Sequence, residues 1–218
     1  MTVDDQAPPV PDAAGRTPTV PDTDDRAPLG VYVDEHLAVI ESVRELVPRI
    51  GALGDEVCAR LARGGILYAF GNGGSAADAQ HLVGELIGRY CRERQPLAAV
   101  ALATDPTVST CIGNDYSFDE VFARQVTALA RPDDMVVAFT TSGRSANVVA
   151  GLRAGRDAGA LTVLFTGRRD TGGGPAAAHA DHVLAVAAER TARVQEAHVL
   201  LLHLLSEHID RWAAGVSG

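Results

Sequence analysis

From residue 33 onward the apolar positions follow two alternating rhythms. Val33, Leu37, Ile40, Val43 and Val47 recur at helical spacing, and Pro48 should end or kink that helix. Ile50, Leu53, Val57 and Leu61 form a second helical stripe, closed by Gly64-Gly65. Five short, almost continuously apolar runs follow, at 66–70, 97–103, 135–139, 161–166 and 182–187, and they read as strands buried on both faces. Helical stretches at 75–90, 117–130, 145–158 and 190–213 lie between or after them. This alternation predicts an α/β fold: a doubly wound, five-stranded parallel sheet flanked by helices, with an N-terminal helical segment.

Residues 1–28 break the pattern. They hold six of the eleven prolines and no aromatic residue. Such a segment buries too little apolar surface to offset its ordering entropy, so a disordered acidic tail is expected there, with residues 29–218 as a single domain. The tail carries six aspartates against two arginines, which leaves a net −5 of the total −9 for the rest of the chain.

All 19 basic residues are arginine, and the chain contains no lysine. A Schiff-base lysine and a P-loop lysine are therefore excluded, and with them lysine-dependent aldolases, pyridoxal-phosphate enzymes and Walker-A nucleotidases. A pI near 5.2 argues against a nucleic-acid partner. No apolar run reaches the roughly 18 residues of a membrane span, and no basic region precedes an apolar stretch at the N-terminus. A cytoplasmic protein without membrane association is expected. Cys58, Cys91 and Cys111 form no C-x-x-C pair and are expected to be free, mostly buried thiols.

Ligands of open α/β sheets bind beyond the carboxyl ends of the strands, which singles out two turns. The first is Gly71-Asn72-Gly73-Gly74-Ser75-Ala76-Ala77-Asp78, where glycines let backbone N–H groups approach an anion and Ser75 is positioned to cap the next helix. The second is Thr140-Thr141-Ser142-Gly143-Arg144-Ser145, with four hydroxyls at another helix N-terminus. Either turn alone is also an ordinary strand-to-helix connection. Together they favour a phosphorylated small molecule.

Two apolar helices carry polar residues that need a reason. His81 and Glu85 share a face at i, i+4; Gln195 and His203 lie two turns apart on the last helix, about 80° round its axis. Two nitrogens and two oxygens suit a divalent metal such as zinc. Each residue also has a structural reading: a satisfied core histidine, a Glu85–Arg89 pair, or a capping amide at Gln195. His198 and His208 read as structural or surface residues.

The run from Gly71 to His81 with Glu85, Gly88-Arg89-Tyr90, Ile112-Gly113-Asn114-Asp115, Thr140 to Ser145, Thr166-Gly167 and Ala192-Arg193-Val194-Gln195-Glu196 resembles the SIS (sugar isomerase) fold. Within it, these motifs are similar to the phosphoheptose isomerases, over about residues 31–213. The resemblance implies a homotetramer with active sites between subunits. It also implies interconversion of D-sedoheptulose 7-phosphate and D-glycero-D-manno-heptose 7-phosphate through an enediol. Ser75, Thr140, Ser142 and Ser145 would hold the phosphate with Asn72, Gly73, Gly74 and Thr141, while Asn114 and Asp115 would contact the sugar. His81, Glu85, Gln195 and His203 would bind Zn2+. Glu85 and His203 would be base and acid, with Glu85 and Gln195 also meeting substrate.

The chain departs from the family pattern in three places. Ala192 stands where some relatives have an acid, so any role of that acid is lost or passes to Thr191. Arg144 stands where asparagine is frequent, and Thr140 where serine is. A rival within the subfamily is the DnaA initiator-associating protein, a non-catalytic tetrameric interaction protein. The joint presence of Glu85 and His203 favours the enzyme. A phosphosugar-sensing regulator would need a DNA-binding module, and the tail has no helix-turn-helix pattern.

Overall fold

A computed structural model describes residues 27–102, 104–167 and 172–215. The tail expected at 1–28 lies outside the described residues except for its last two. Five parallel strands, β1 (Leu67–Gly71), β2 (Ala99–Ala101), β3 (Met135–Phe139), β4 (Leu161–Gly167) and β5 (His182–Val186), form one sheet in the order β2-β1-β3-β4-β5. Because β1, β3 and β4 are wholly buried, their side chains point alternately into two cores. Leu67, Ala69, Val137, Phe139, Val163 and Phe165 face one side, where α2 (Val47–Ala62), α3 (Gly74–Ile87) and α7 (Thr191–Ala213) pack. Phe70, Val136, Ala138 and Leu164 face α5 (Ala123–Leu129) and α6 (Ala146–Asp157) on the other.

The strand order reverses between β1 and β3. β1 leads into α3 on one face and β3 leads into α6 on the opposite face, so a crevice opens above their carboxyl ends. Paired Gly71 and Phe139 bring the two chain exits to the same level.

Several expectations need correction. The first helix, α1 (Gly30–Ser42), passes through a 3-10 turn at Val43–Leu46, and Pro48 sits in the opening turn of α2, where its missing N–H costs nothing. The apolar stripe reaches the core only at its carboxyl end: Val33 and Leu37 are 58% and 59% exposed, whereas Ile40 packs against the core and Val43 is buried in it. Polar contacts add to this in joining α1 to α7, through His36–Glu196 at 2.7 Å and Arg190–Glu35 at 3.1 Å. The strand expected at 97–103 is only Ala99–Ala101, with residue 103 outside the described set. The helix expected at 117–130 divides into a 3-10 turn at Phe118–Glu120 and α5.

One helix was not expected, α4 (Pro106–Asp115). It buries only Ile112, so no apolar stripe announces it. Its start was nevertheless legible: Asp105 accepts from the N–H groups of Thr107 and Val108, and Pro106 follows that cap. The thiols are free as expected, but only Cys58 is buried; Cys91 and Cys111 are exposed. The reason is local: Cys91 lies in the turn after α3, and Cys111 on the outer face of α4.

Candidate functional site

The two turns converge on a cleft of about 270 Å³ at the crevice. Asn72, Gly74 and Ser75 line one wall, Thr140, Thr141, Ser142 and Ser145 another, and Thr191 with Gln195 the rim supplied by α7. Ser75 does not cap α3. Gly73 takes that position with φ +57°, a conformation that glycine adopts without a Cβ penalty, and the helix has no side-chain cap at its start. The N–H groups of Ser75 and Ala76 turn back onto the carbonyls of Asn72 and Gly73, both at 3.0 Å, so no side chain stands between the helix start and an anion drawn by its dipole. Gly74 has a different reason for being glycine, since a Cβ there would run into the Gln195 carboxamide. On the other turn, Ser145 begins α6, and Thr140 Oγ1 accepts from Gly143 N at 3.2 Å. Thr191 Oγ1 lies 3.5 Å from Thr141 Oγ1, so a hydroxyl stands at the helix start where Ala192 has none.

Glu85 and His81 project from α3 toward His203 of α7. His81 Nε2 is 3.1 Å from Glu85 Oε1 and 3.2 Å from His203 Nε2, and the imidazoles meet edge to face. The ligand atoms of all three lie within 4.8 Å of one another. One ring nitrogen either carries a proton or offers a lone pair. If His81 Nε2 donates to Glu85, His203 brings a second lone pair to the same point. If it accepts from His203, two acceptors face each other across 3.1 Å. Lone pairs of two nitrogens and one oxygen thus converge, and this donor set fits a zinc-class divalent cation. Burial, and next the charge of His81, hold His203 below the usual imidazole range; Glu85 opposes this. Tyr90 packs at a tilt against that ring, with centroids 5.6 Å apart.

The carboxyl end of α3 is clamped against α7. Asp210, fully buried, accepts from the backbone N–H groups of Cys91 and Arg92, and pairs with Arg94 at 3.1 Å. Arg94 Nη2 donates to the Glu85 carbonyl at 2.6 Å, and Nη1 to the Leu86 carbonyl at 2.9 Å. The Glu85 carbonyl at the helix end is thereby satisfied, and the Leu86 carbonyl, which also accepts from Leu97 N at 3.0 Å, gains a second donor. The Glu85–Arg89 pair considered from spacing does not form; Arg89 pairs with Glu93 at 3.0 Å.

Of the residues singled out in the sequence, Asn72, Gly74, Ser75, Thr140, Thr141, Ser142, Ser145 and Gln195 meet at the cleft. Gly73 forms the turn behind it. His81, Glu85 and His203 form the neighbouring cluster on the same two helices. Asn114 and Asp115 do not reach the cleft; they are exposed at the end of α4, where Asn114 Nδ2 donates to Asp115 Oδ1 at 2.8 Å. Two buried groups escaped the sequence reading. Asn147 pairs with Asn72, and Asp78 lies 3.9 Å from His198 beneath the crevice. His198 is buried as the structural reading held, and His208 pairs with Asp55 at 2.9 Å. Nothing in an isolated asparagine or aspartate on a helix marks it as buried, so only the fold exposes these pairs.

A doubly wound sheet with hydroxyl-rich turns at its switch point defines a class of protein, and residues 31–167 match the family model described as the SIS domain. The chain is 46% identical over 183 residues to a phosphoheptose isomerase of Roseiflexus sp., covering 82% of this chain and 91% of that protein. Among solved structures, a phosphoheptose isomerase from Neisseria gonorrhoeae is 39% identical with a TM-score of 0.76, over 84% of this chain and 96% of that one. One from Francisella tularensis is 30% identical with a TM-score of 0.78, with the same coverage of 84% and 96%. The chain belongs to the phosphoheptose isomerase family of SIS-domain proteins.

Proposed function

We propose that the protein is a ketose–aldose isomerase converting D-sedoheptulose 7-phosphate to D-glycero-D-manno-heptose 7-phosphate. One observation carries the reading: α3 and α7 bring Glu85 and His203 together beside a cleft whose walls suit a phosphate. The hydroxyls of Ser75, Thr140, Ser142 and Ser145, with the positive dipole end of α3, bind the phosphate and leave the reacting carbons toward Glu85. Lysine plays no part, which accords with its absence from the chain.

In this mechanism the Glu85 carboxylate takes a proton from C1 while His203 delivers one to the C2 oxygen, giving the enediol. His203 then removes the O1 proton as Glu85 returns its proton to C2, and the aldose forms. Burial, and next His81, lower the His203 pKa, so the imidazolium gives up its proton to the C2 oxygen readily and the neutral ring left behind is the base that takes the O1 proton. His81, Glu85, Gln195 and His203 would hold Zn2+, which supplies a Lewis acid for the carbonyl when bound. One Glu85 oxygen would ligate and the other would remain free for the proton.

The same reading has the enzyme act in the cytoplasm as a homotetramer, with exposed Asn114 and Asp115 of a neighbouring copy reaching the sugar. The outward apolar side chains Val33, Leu37, Ile87 and Val100 support burial against other copies. Among the described residues, no helix is long and apolar enough to cross a membrane.

Purified protein given sedoheptulose 7-phosphate should form the aldoheptose phosphate. Glu85→Gln and His203→Ala should each abolish exchange of the C1 hydrogen with solvent, and His81→Ala should lower the zinc content. No turnover by zinc-replete protein, together with tight binding to the replication initiator, would favour the interaction protein instead.

A further inference from the structure

The crevice has a feature that the proposed chemistry does not use. Asn72 Nδ2 donates to Asn147 Oδ1 at 2.9 Å, and Asn147 Nδ2 returns a bond to Asn72 Oδ1 at 2.9 Å. Asn72 lies in the turn after β1 and lines the cleft; Asn147 lies in the first turn of α6, only 2% exposed, and does not line it. The pair therefore spans the point where the strand order reverses. There the two chains part, one toward α3 and one toward α6 on opposite faces of the sheet. Strand pairing ends at Gly71 and Phe139, so the ladder between β1 and β3 does not fix the spacing of the turns above it. Ser75 belongs to the first turn and Ser142 and Ser145 to the second. An anion held by both needs their separation set in advance, or binding must bear the cost of ordering them.

We infer that Asn147 is a positioning residue: through its reciprocal amide pair with Asn72 it latches the two hydroxyl turns at the spacing a phosphate requires. Each amide spends one donor and one acceptor on the other, which fixes both side-chain planes. Asn72 keeps one N–H free to face the cleft. This inference rests on the proposed phosphate site, though not on the isomerisation chemistry.

The test measures binding of inorganic phosphate, KM and kcat for sedoheptulose 7-phosphate, and zinc content, in wild type and Asn147→Ala. Phosphate Kd and sugar-phosphate KM should both rise about tenfold, the scale of one lost buried hydrogen-bonded pair, while kcat and zinc content stay within about twofold. Asn72→Ala with Asn147→Ala should bind phosphate no more weakly than Asn72→Ala alone, because Asn147 acts through Asn72. Asn147→Ser, which keeps a polar group at the buried position, serves if the alanine variant does not fold. Unchanged phosphate Kd and KM in a folded variant would overturn the latch. A parallel fall of kcat, zinc content and melting temperature would also overturn it, since that pattern marks a merely structural residue. Wild type that binds phosphate without turning over the heptose would refute the isomerase and leave the latch measurable by phosphate alone. Wild type that binds no phosphate would refute the latch.

Discussion

Asp78→Asn should make stability depend on pH in a way that wild type hides. Asp78 lies on α3 under the cleft, and burial raises its carboxyl to about 6 from an ordinary 3.8. His198, 3.9 Å away on α7, is pushed by burial from 6.5 to about 4. A raised pKa in the folded state means stability that is present below the unfolded value and lost as pH rises through the folded one. Asp78 therefore costs about 3 kcal/mol between pH 4 and 6, at 1.36 kcal/mol per unit. A depressed pKa works oppositely: His198 loses about 3 kcal/mol as pH falls from 6.5 to 4. The two slopes offset one another in wild type. Removing Asp78's charge should leave the His198 slope exposed. Relative to wild type, the variant should be about 3 kcal/mol more stable at pH 7 and equal to it near pH 4. Urea unfolding of chelator-treated protein at pH 4, 5, 6 and 7 measures this, and subtraction removes every other titrating group. A wild-type–variant difference that stays constant within about 0.5 kcal/mol across this range would refute the reasoning, since a carboxyl with an ordinary pKa has no such slope.

Two further outcomes follow from packing. Asp210→Asn removes the negative charge opposite buried Arg94 and sets an amide N–H against existing donors, so urea unfolding should register a loss of about 3–5 kcal/mol; a loss under about 1 kcal/mol would contradict the clamp. Gly74→Ala drives a methyl into the flexible end of Gln195, so the melting temperature should hold within about 3 °C while KM for the sugar phosphate rises several-fold. An unchanged KM would mean that Gln195 does not meet the substrate.

Much of this molecule is written in local chemistry. β1, β3 and β4 are uninterrupted apolar runs because both faces of the sheet are covered, and each is legible within a residue of its observed bounds. The two hydroxyl and glycine turns were equally plain, because donors at a helix start must come from nearby residues. Elements that gain little from burial left weak traces: α4 buries only Ile112, and three-residue β2 lies at the sheet edge.

The sequence by itself determined the α/β alternation, the two turns, and the identity of His81, Glu85, Gln195 and His203 as polar intruders in apolar helices. Spacing placed His81 beside Glu85, and Gln195 with His203 on one side of α7, since each pair shares a helix. Only the tertiary structure decided that α3 meets α7 at His81 and His203, with Glu85 beside them, that Arg94 and Asp210 hold that meeting, and that Asn147 closes onto Asn72. These contacts join residues 75 or more positions apart. No local periodicity encodes such separations; the winding of the sheet about its switch point creates them. It likewise left Val33 and Leu37 at the start of the α1 stripe facing outward, while Ile40 and Val43 further along meet the core as periodicity directed.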